Sequence, residues 1–174
     1  MKAPLLVSFT WYFLLALGMA PSPASQNKSI ASPDSAFVAE ISSNKAQFTE
    51  DTVEIVSRKS PARAKFPMTF ERGANGRYVL KAEWSPDSRF FVFSTFSSGA
   101  HSSWNFRTFV FSVDANKFVS VDDRIKPVTN KDFQLIPLHT LQIETLNPKG
   151  IDFPSLKQTI DLATLFPAQS SPAK

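Results

Sequence analysis

The chain has 174 residues, of which 43% are hydrophobic and 20% are charged, and its formal net charge is +4. This composition is close to that of ordinary globular proteins and excludes a wholly disordered chain. The small basic excess is also far from the charge footprint of a nucleic-acid-binding protein.

The first residues predict a secretory signal peptide. Met1-Lys2 is a short basic region, residues 5–17 are mostly apolar, and Ser22-x-Ala24 offers small residues for cleavage after Ala24. The apolar core is short against the roughly 20 residues that a membrane span needs. We therefore expect residues 1–24 to be removed, leaving a secreted or periplasmic bacterial protein that does not span a membrane.

The chain contains no cysteine. Small exported domains often rely on disulfides, so this one has to be stabilised by its core alone. We expect a flexible leader at residues 25–35, a single β domain at residues 36–166 and a flexible tail at residues 167–174.

Within that domain, short runs of strand-forming residues alternate with turn residues. Strands are predicted at Ala36–Ser42, Thr52–Arg58, Arg77–Trp84, Arg89–Phe96, Asn105–Val113, Lys117–Val121, Thr140–Leu146 and Lys157–Leu162. Residues 155–166 also fit a capped helix, because Ser155 and Gln158 have the spacing of a capping box. Alternation and β-branched residues favour the strand.

The run Arg89–Phe96 is apolar on both faces, with Phe91 and Phe93 on one side and Phe90 and Val92 on the other. Strands of this kind are usually central and are covered by two layers. Seventeen phenylalanines against two tyrosines agree with a β-rich protein.

A short repeat precedes two of the strands. Ser-Pro-Asp-Ser occurs at residues 32–35 and again at residues 85–88, and each copy leads directly into an apolar run. Proline at the second position fits a type I turn, and serine and aspartate can cap its backbone.

The second copy, with Trp84 in front of it, resembles the repeat of WD40-like β-propellers of the TolB type. The resemblance covers one blade-like unit at residues 84–121 and a weaker copy from Ala31. It implies four-stranded meander blades with Trp84 packed between layers. Closed propellers need about four to eight blades, for which the chain is too short. We therefore expect an all-β fold of antiparallel blade-like sheets in a small open or sandwich-like arrangement.

Few residues suggest chemistry. The two histidines are far apart in sequence and there is no cysteine, so no metal site is predicted. No cofactor motif is present either. The loop at residues 97–104 is polar, and His101 and Trp104 together with Arg107 could stack on or hydrogen-bond a ligand. These three residues are the candidate binding site, and no catalytic residue is assigned.

The favoured function is an exported, non-enzymatic β-sheet module that binds a protein or an envelope component. The alternatives are a small hydrolase with a site near His101 and an inactive propeller remnant. Sheets that do not close leave unpaired edges. We expect a monomer that offers one free edge to a partner by strand addition, with self-pairing into a dimer as the alternative.

Overall fold

The computed structural model describes residues 26–43, 51–60, 63–65, 77–97 and 106–167. These residues form three open antiparallel sheets, as the sequence predicted. The first sheet is an up-and-down meander of β1 (Gln26–Ala31), β2 (Phe37–Ser43), β3 (Asp51–Ser57) and β4 (Arg63–Lys65).

The second sheet repeats this meander, and the third is smaller. The second contains β5 (Arg77–Trp84), β6 (Phe90–Ser97), β7 (Phe106–Ser112) and β8 (Lys117–Ser120) in chain order. The third contains β9 (Val128–Ile136), β10 (Thr140–Thr145) and β11 (Leu156–Asp161), with β10 in the middle. A 3₁₀ helix, Leu162–Leu165, follows β11.

The second sheet lies between the other two, because a separate core covers each of its faces. One core joins it to the first sheet, through Ala39, Ile41, Val53, Ile55, Ala82, Trp84, Phe91, Phe93, Phe109 and Phe111. The other joins it to the third sheet, through Phe90, Val92, Val110, Val121, Val128, Phe133, Leu141, Ile143, Leu162 and Leu165. The prediction that β6 is a central strand with two covered faces is confirmed.

A carboxylate connects the second and third sheets where the chain passes between them. Asp122 accepts hydrogen bonds from the backbone N–H of Thr108 on β7, at 2.9 Å, and of Val128 on β9, at 3.0 Å. Burial raises the pKa of the Asp122 carboxyl, against the lowering effect of these two hydrogen bonds. The side chain therefore satisfies two buried donors at the cost of its own desolvation.

Some boundaries differ from the predictions. Gln26–Ala31 forms β1 within the range expected to be a flexible leader, because its backbone pairs along its whole length with β2. The β structure thus begins at Gln26 rather than at residue 36. Strands β4 and β9 were not predicted. In residues 155–166 the favoured strand is present as Leu156–Asp161. The helix expected from a Ser155 capping box is not, because the 3₁₀ helix begins at Leu162 and is capped by Asp161.

Candidate interaction site

The two Ser-Pro-Asp-Ser turns occupy the same place in their sheets, between the first and second strands. In each turn the first serine donates its hydroxyl to the aspartate two residues later, at 2.6 Å from Ser32 to Asp34 and at 2.5 Å from Ser85 to Asp87. The same hydroxyl accepts the N–H of the first residue of the next strand, at 3.0 Å in both copies. The hydrogen bond from Ser32 lowers the pKa of the Asp34 carboxyl.

The two turns also contact each other. The Asp34 N–H donates to the hydroxyl of Ser88 at 3.0 Å. Both fourth-position serines adopt a positive φ, 58° at Ser35 and 62° at Ser88. The repeat in the sequence therefore gives two equivalent turns that meet at one end of the stacked sheets.

The third sheet contributes a histidine to the same end. His139, in the turn before β10, lies between two carboxylates: Nδ1 is 3.6 Å from Asp87 and Nε2 is 3.3 Å from Asp161. Its ring also packs near Phe90, with centroids 5.9 Å apart. At 3.6 Å the Asp87 contact is longer than a hydrogen bond, and the buried Nδ1 has no hydrogen-bond partner in the described part of the chain. His139 thus links the turn of the second sheet to the end of β11.

An ion pair and a shallow cleft lie beside this cluster. Arg89 donates from Nε and Nη2 to one oxygen of Asp114, at 2.9 and 2.6 Å, and this contact raises the pKa of the guanidinium. The pair borders a cleft of about 400 Å³, which is also lined by Phe90 and Phe166. Arg89 and Asp114 are both largely exposed, so their mutual attraction is screened by water.

The surroundings of His139 can be compared with what nucleophilic and metal-assisted catalysis need. In the part of the chain that the structure describes, no serine or threonine hydroxyl lies within hydrogen-bond distance of His139, so this base has no nucleophile to activate. The described residues also contain no group of His, Asp and Glu that could hold a metal ion. Sequence reasoning missed the cluster because its members come from three distant segments.

Of the three candidate residues from the sequence, Arg107 is the one that the structure describes. His101 and Trp104 lie outside the described residues. Arg107 is exposed at the start of β7, opposite Thr95, whose hydroxyl donates to the Arg107 carbonyl at 3.3 Å. It therefore lies at the end of the second sheet away from the Ser-Pro-Asp-Ser turns. Arg107 is not brought together with His139.

Strand β11 is an edge of the third sheet, and its hydrogen-bond pattern shows which groups face outward. The Leu162 N–H donates to the His139 carbonyl at 3.0 Å, and the pairing of β10 with β11 keeps this register. Because inward and outward backbone groups alternate in an antiparallel pair, Leu156, Gln158 and Ile160 bond to β10. The N–H and C=O groups of Lys157, Thr159 and Asp161 point away from the sheet.

On two other edges, a backbone group bonds to a side chain of a neighbouring sheet. The Val79 N–H on β5 donates to Asp51 at 2.7 Å. On β9, the Lys81 ammonium donates to the Phe133 carbonyl at 2.5 Å. Strand β8 has four residues, so it offers a shorter edge than β11.

Along β11, one outward group has a partner: the hydroxyl of Thr164, in the 3₁₀ helix that follows, donates to the Asp161 carbonyl at 2.7 Å. Among the residues that the structure describes, the outward groups of Lys157 and Thr159 have no hydrogen-bond partner. The side chains of Lys157, Thr159 and Asp161 are exposed. Apolar side chains are exposed at the first residue of the strand and just before it: Ile151, Phe153 and Leu156.

No helix in the described ranges is long and apolar enough to cross a membrane. No protein-family model and no curated protein matches the chain. Among solved structures, the chain is similar to a protein assigned as a conserved lipoprotein from Clostridium novyi NT. The two are 11% identical with a TM-score of 0.49, over 83% of this chain and 90% of that chain. At this level the similarity carries no argument about function.

Proposed function

We propose that the protein is an exported, non-enzymatic β-sheet module that binds a protein segment by strand addition at the edge of β11. The observation that carries the proposal is the row of outward backbone groups at Lys157 and Thr159, which have no partner in the described part of the chain. Such a row is a template for a further strand, since backbone hydrogen bonds supply affinity and neighbouring side chains supply specificity.

The surroundings of the edge support binding. Exposed Ile151, Phe153 and Leu156 lie next to its start, with exposed fractions of 62%, 47% and 40%. A strand laid along β11 could cover part of this apolar surface and gain hydrophobic stabilisation. The signal-like N-terminus supports export.

The outer faces of the stack disfavour packing of a further blade. On the first sheet, Glu40 and Glu54 are paired across β2 and β3 on the face away from the core. On the third sheet, Gln134 and Gln142 are paired in the same way across β9 and β10. These four side chains are exposed or partly exposed, and covering them with another sheet would cost their desolvation. We therefore take the resemblance to WD40-like blades to concern the meander within each sheet, and not the closed ring that such blades form.

Thr159→Pro should abolish capture of a partner from envelope extract while leaving the fold intact. Proline removes an N–H that points away from the sheet, and edge strands tolerate proline at such positions. Thr159→Ala is the matched control, because it changes the side chain and keeps the N–H. The measurement is a pull-down with wild type and both variants, together with thermal melts. Equal capture by wild type and Thr159→Pro would contradict binding through this edge.

A further inference from the structure

We infer that the strand that occupies the β11 edge is β11 of a second copy of this chain, in an antiparallel pair with a two-fold axis through Thr159. This inference rests on the proposed function and names its partner. The pair would join the two third sheets into one continuous sheet. It favours the self-pairing alternative over the monomer expected from the sequence.

The charges on β11 are complementary to themselves in this register. With Thr159 opposite Thr159 of the second copy, Lys157 lies directly opposite Asp161 of the second copy, and symmetry repeats the pair. All three residues direct their backbone groups outward, as the alternation from the Leu162 bond to His139 requires. Directly opposite residues have their side chains on the same face of a sheet, so each lysine meets an aspartate.

Other registers lose this match. Outward groups must meet outward groups, so the allowed registers differ by steps of two residues. A two-fold axis through Lys157 would place the two lysines opposite each other, and an axis through Asp161 would do the same with the two aspartates. An axis through Gln158 or Ile160 pairs Thr159 with one of the charged residues. Only the axis through Thr159 sets opposite charges face to face.

The existing contacts of Asp161 are compatible with this pairing. Its carboxylate accepts the Ala163 N–H at 2.9 Å and lies 3.3 Å from His139, and its side chain is 50% exposed. A carboxylate has about four acceptor positions, and a carbonyl has two. The carboxylate can therefore accept from a lysine, and the Asp161 carbonyl can accept a second donor beside Thr164.

A single introduced cysteine tests the register directly, since the chain has none of its own. In the proposed pair, the two Thr159 Cα atoms are about 5.5 Å apart, which a disulfide can bridge. Thr159→Cys should therefore form a covalent dimer under mild oxidation. Lys157→Cys is the matched control, because its two copies would be about 14 Å apart along the strand. No covalent dimer from Thr159→Cys, or equal yields from both variants, would overturn the inference.

Charge reversal tests the same pairing without a covalent bond. Lys157→Glu and Asp161→Lys should each weaken dimerisation by roughly tenfold or more, because like charges then face each other twice. An equimolar mixture should restore the dimer, since the introduced glutamate faces the introduced lysine. Light scattering gives the mass and thermal melts check the fold. A mixture that stays as monomeric as its components would overturn the inference.

These results separate the inference from the proposed function. If no dimer forms while Thr159→Pro still abolishes capture from extract, the edge binds a different protein: the inference fails and the proposed function stands. If no dimer forms and Thr159→Pro leaves capture unchanged, both fail.

Discussion

Replacing Trp84 by alanine should lower the free energy of unfolding by about 3–5 kcal/mol, the range for a large buried aromatic. Trp84 is 8% exposed and lies in the core between the first and second sheets. Its ring packs against Phe91 and Phe37, with centroid distances of 5.1 and 6.2 Å. Its indole N–H also donates to the Ile30 carbonyl, so the truncation loses both a packing contact and a contact between sheets.

Trp84→Phe is the control for that experiment, because it keeps an aromatic ring and removes the indole donor. It should lower the free energy of unfolding by less than the alanine variant does. Its own loss is that of one hydrogen bond plus a small cavity. Urea unfolding measures both. A loss below about 1 kcal/mol for Trp84→Ala would mean that the first and second sheets do not depend on this contact.

Asp122→Ala should destabilise the protein by about 3 kcal/mol, because it leaves two buried backbone donors without an acceptor. Thr108 and Val128, whose N–H groups bond to the carboxylate, are both 0% exposed. The loss should be much larger than that of Asp123→Ala, because the side chain of Asp123, the next residue, is exposed. Denaturant unfolding of the two variants checks this, and equal losses would contradict the role of Asp122.

The same carboxyl predicts a pH dependence with a defined sign. Burial raises the folded-state pKa of Asp122 above its ordinary value of 3.8, so the folded protein holds this proton more tightly than the unfolded chain does. Protonation of Asp122 therefore stabilises the folded state, and this contribution to the free energy of unfolding is lost as the pH rises from 3.8 through the folded-state pKa. Asp122→Asn removes this titration. Unfolding free energies at several pH values should show the advantage of wild type over the variant shrinking in that window, and a growing advantage would contradict the sign.

Much of the fold could be predicted because local signals agreed with tertiary packing. The sequence predicts a strand at Arg77–Trp84, with the bounds that the structure gives. It also predicts the turn before β6, which is closed by the hydrogen bond from the Ser88 N–H to the Ser85 carbonyl. β1 was missed because Gln26–Ala31 is mostly polar and is a strand through its pairing with β2. β9 was missed because Asn130, Lys131 and Asp132 have low strand propensity. Non-local pairing overrode propensity in both strands.

The candidate site was less predictable than the fold. His139, Asp87 and Asp161 meet only after three segments have been brought together, and no local motif marks them. The edge at β11 is likewise a property of sheet order, because a sequence pattern gives the strand but not its neighbours. The general expectation of an unpaired edge could be derived from the short chain, whereas its location required the topology.

Amide hydrogen exchange along β11, followed residue by residue at increasing protein concentration, tests the central claim most directly. At low concentration the Gln158 and Ile160 amides should be protected by their bonds to β10, and those of Lys157 and Thr159 should exchange fast. As the concentration rises, Lys157 and Thr159 should become protected while Gln158 and Ile160 change little. Protection of Lys157 and Thr159 at every concentration would mean that the chain covers its own edge, and would contradict the account.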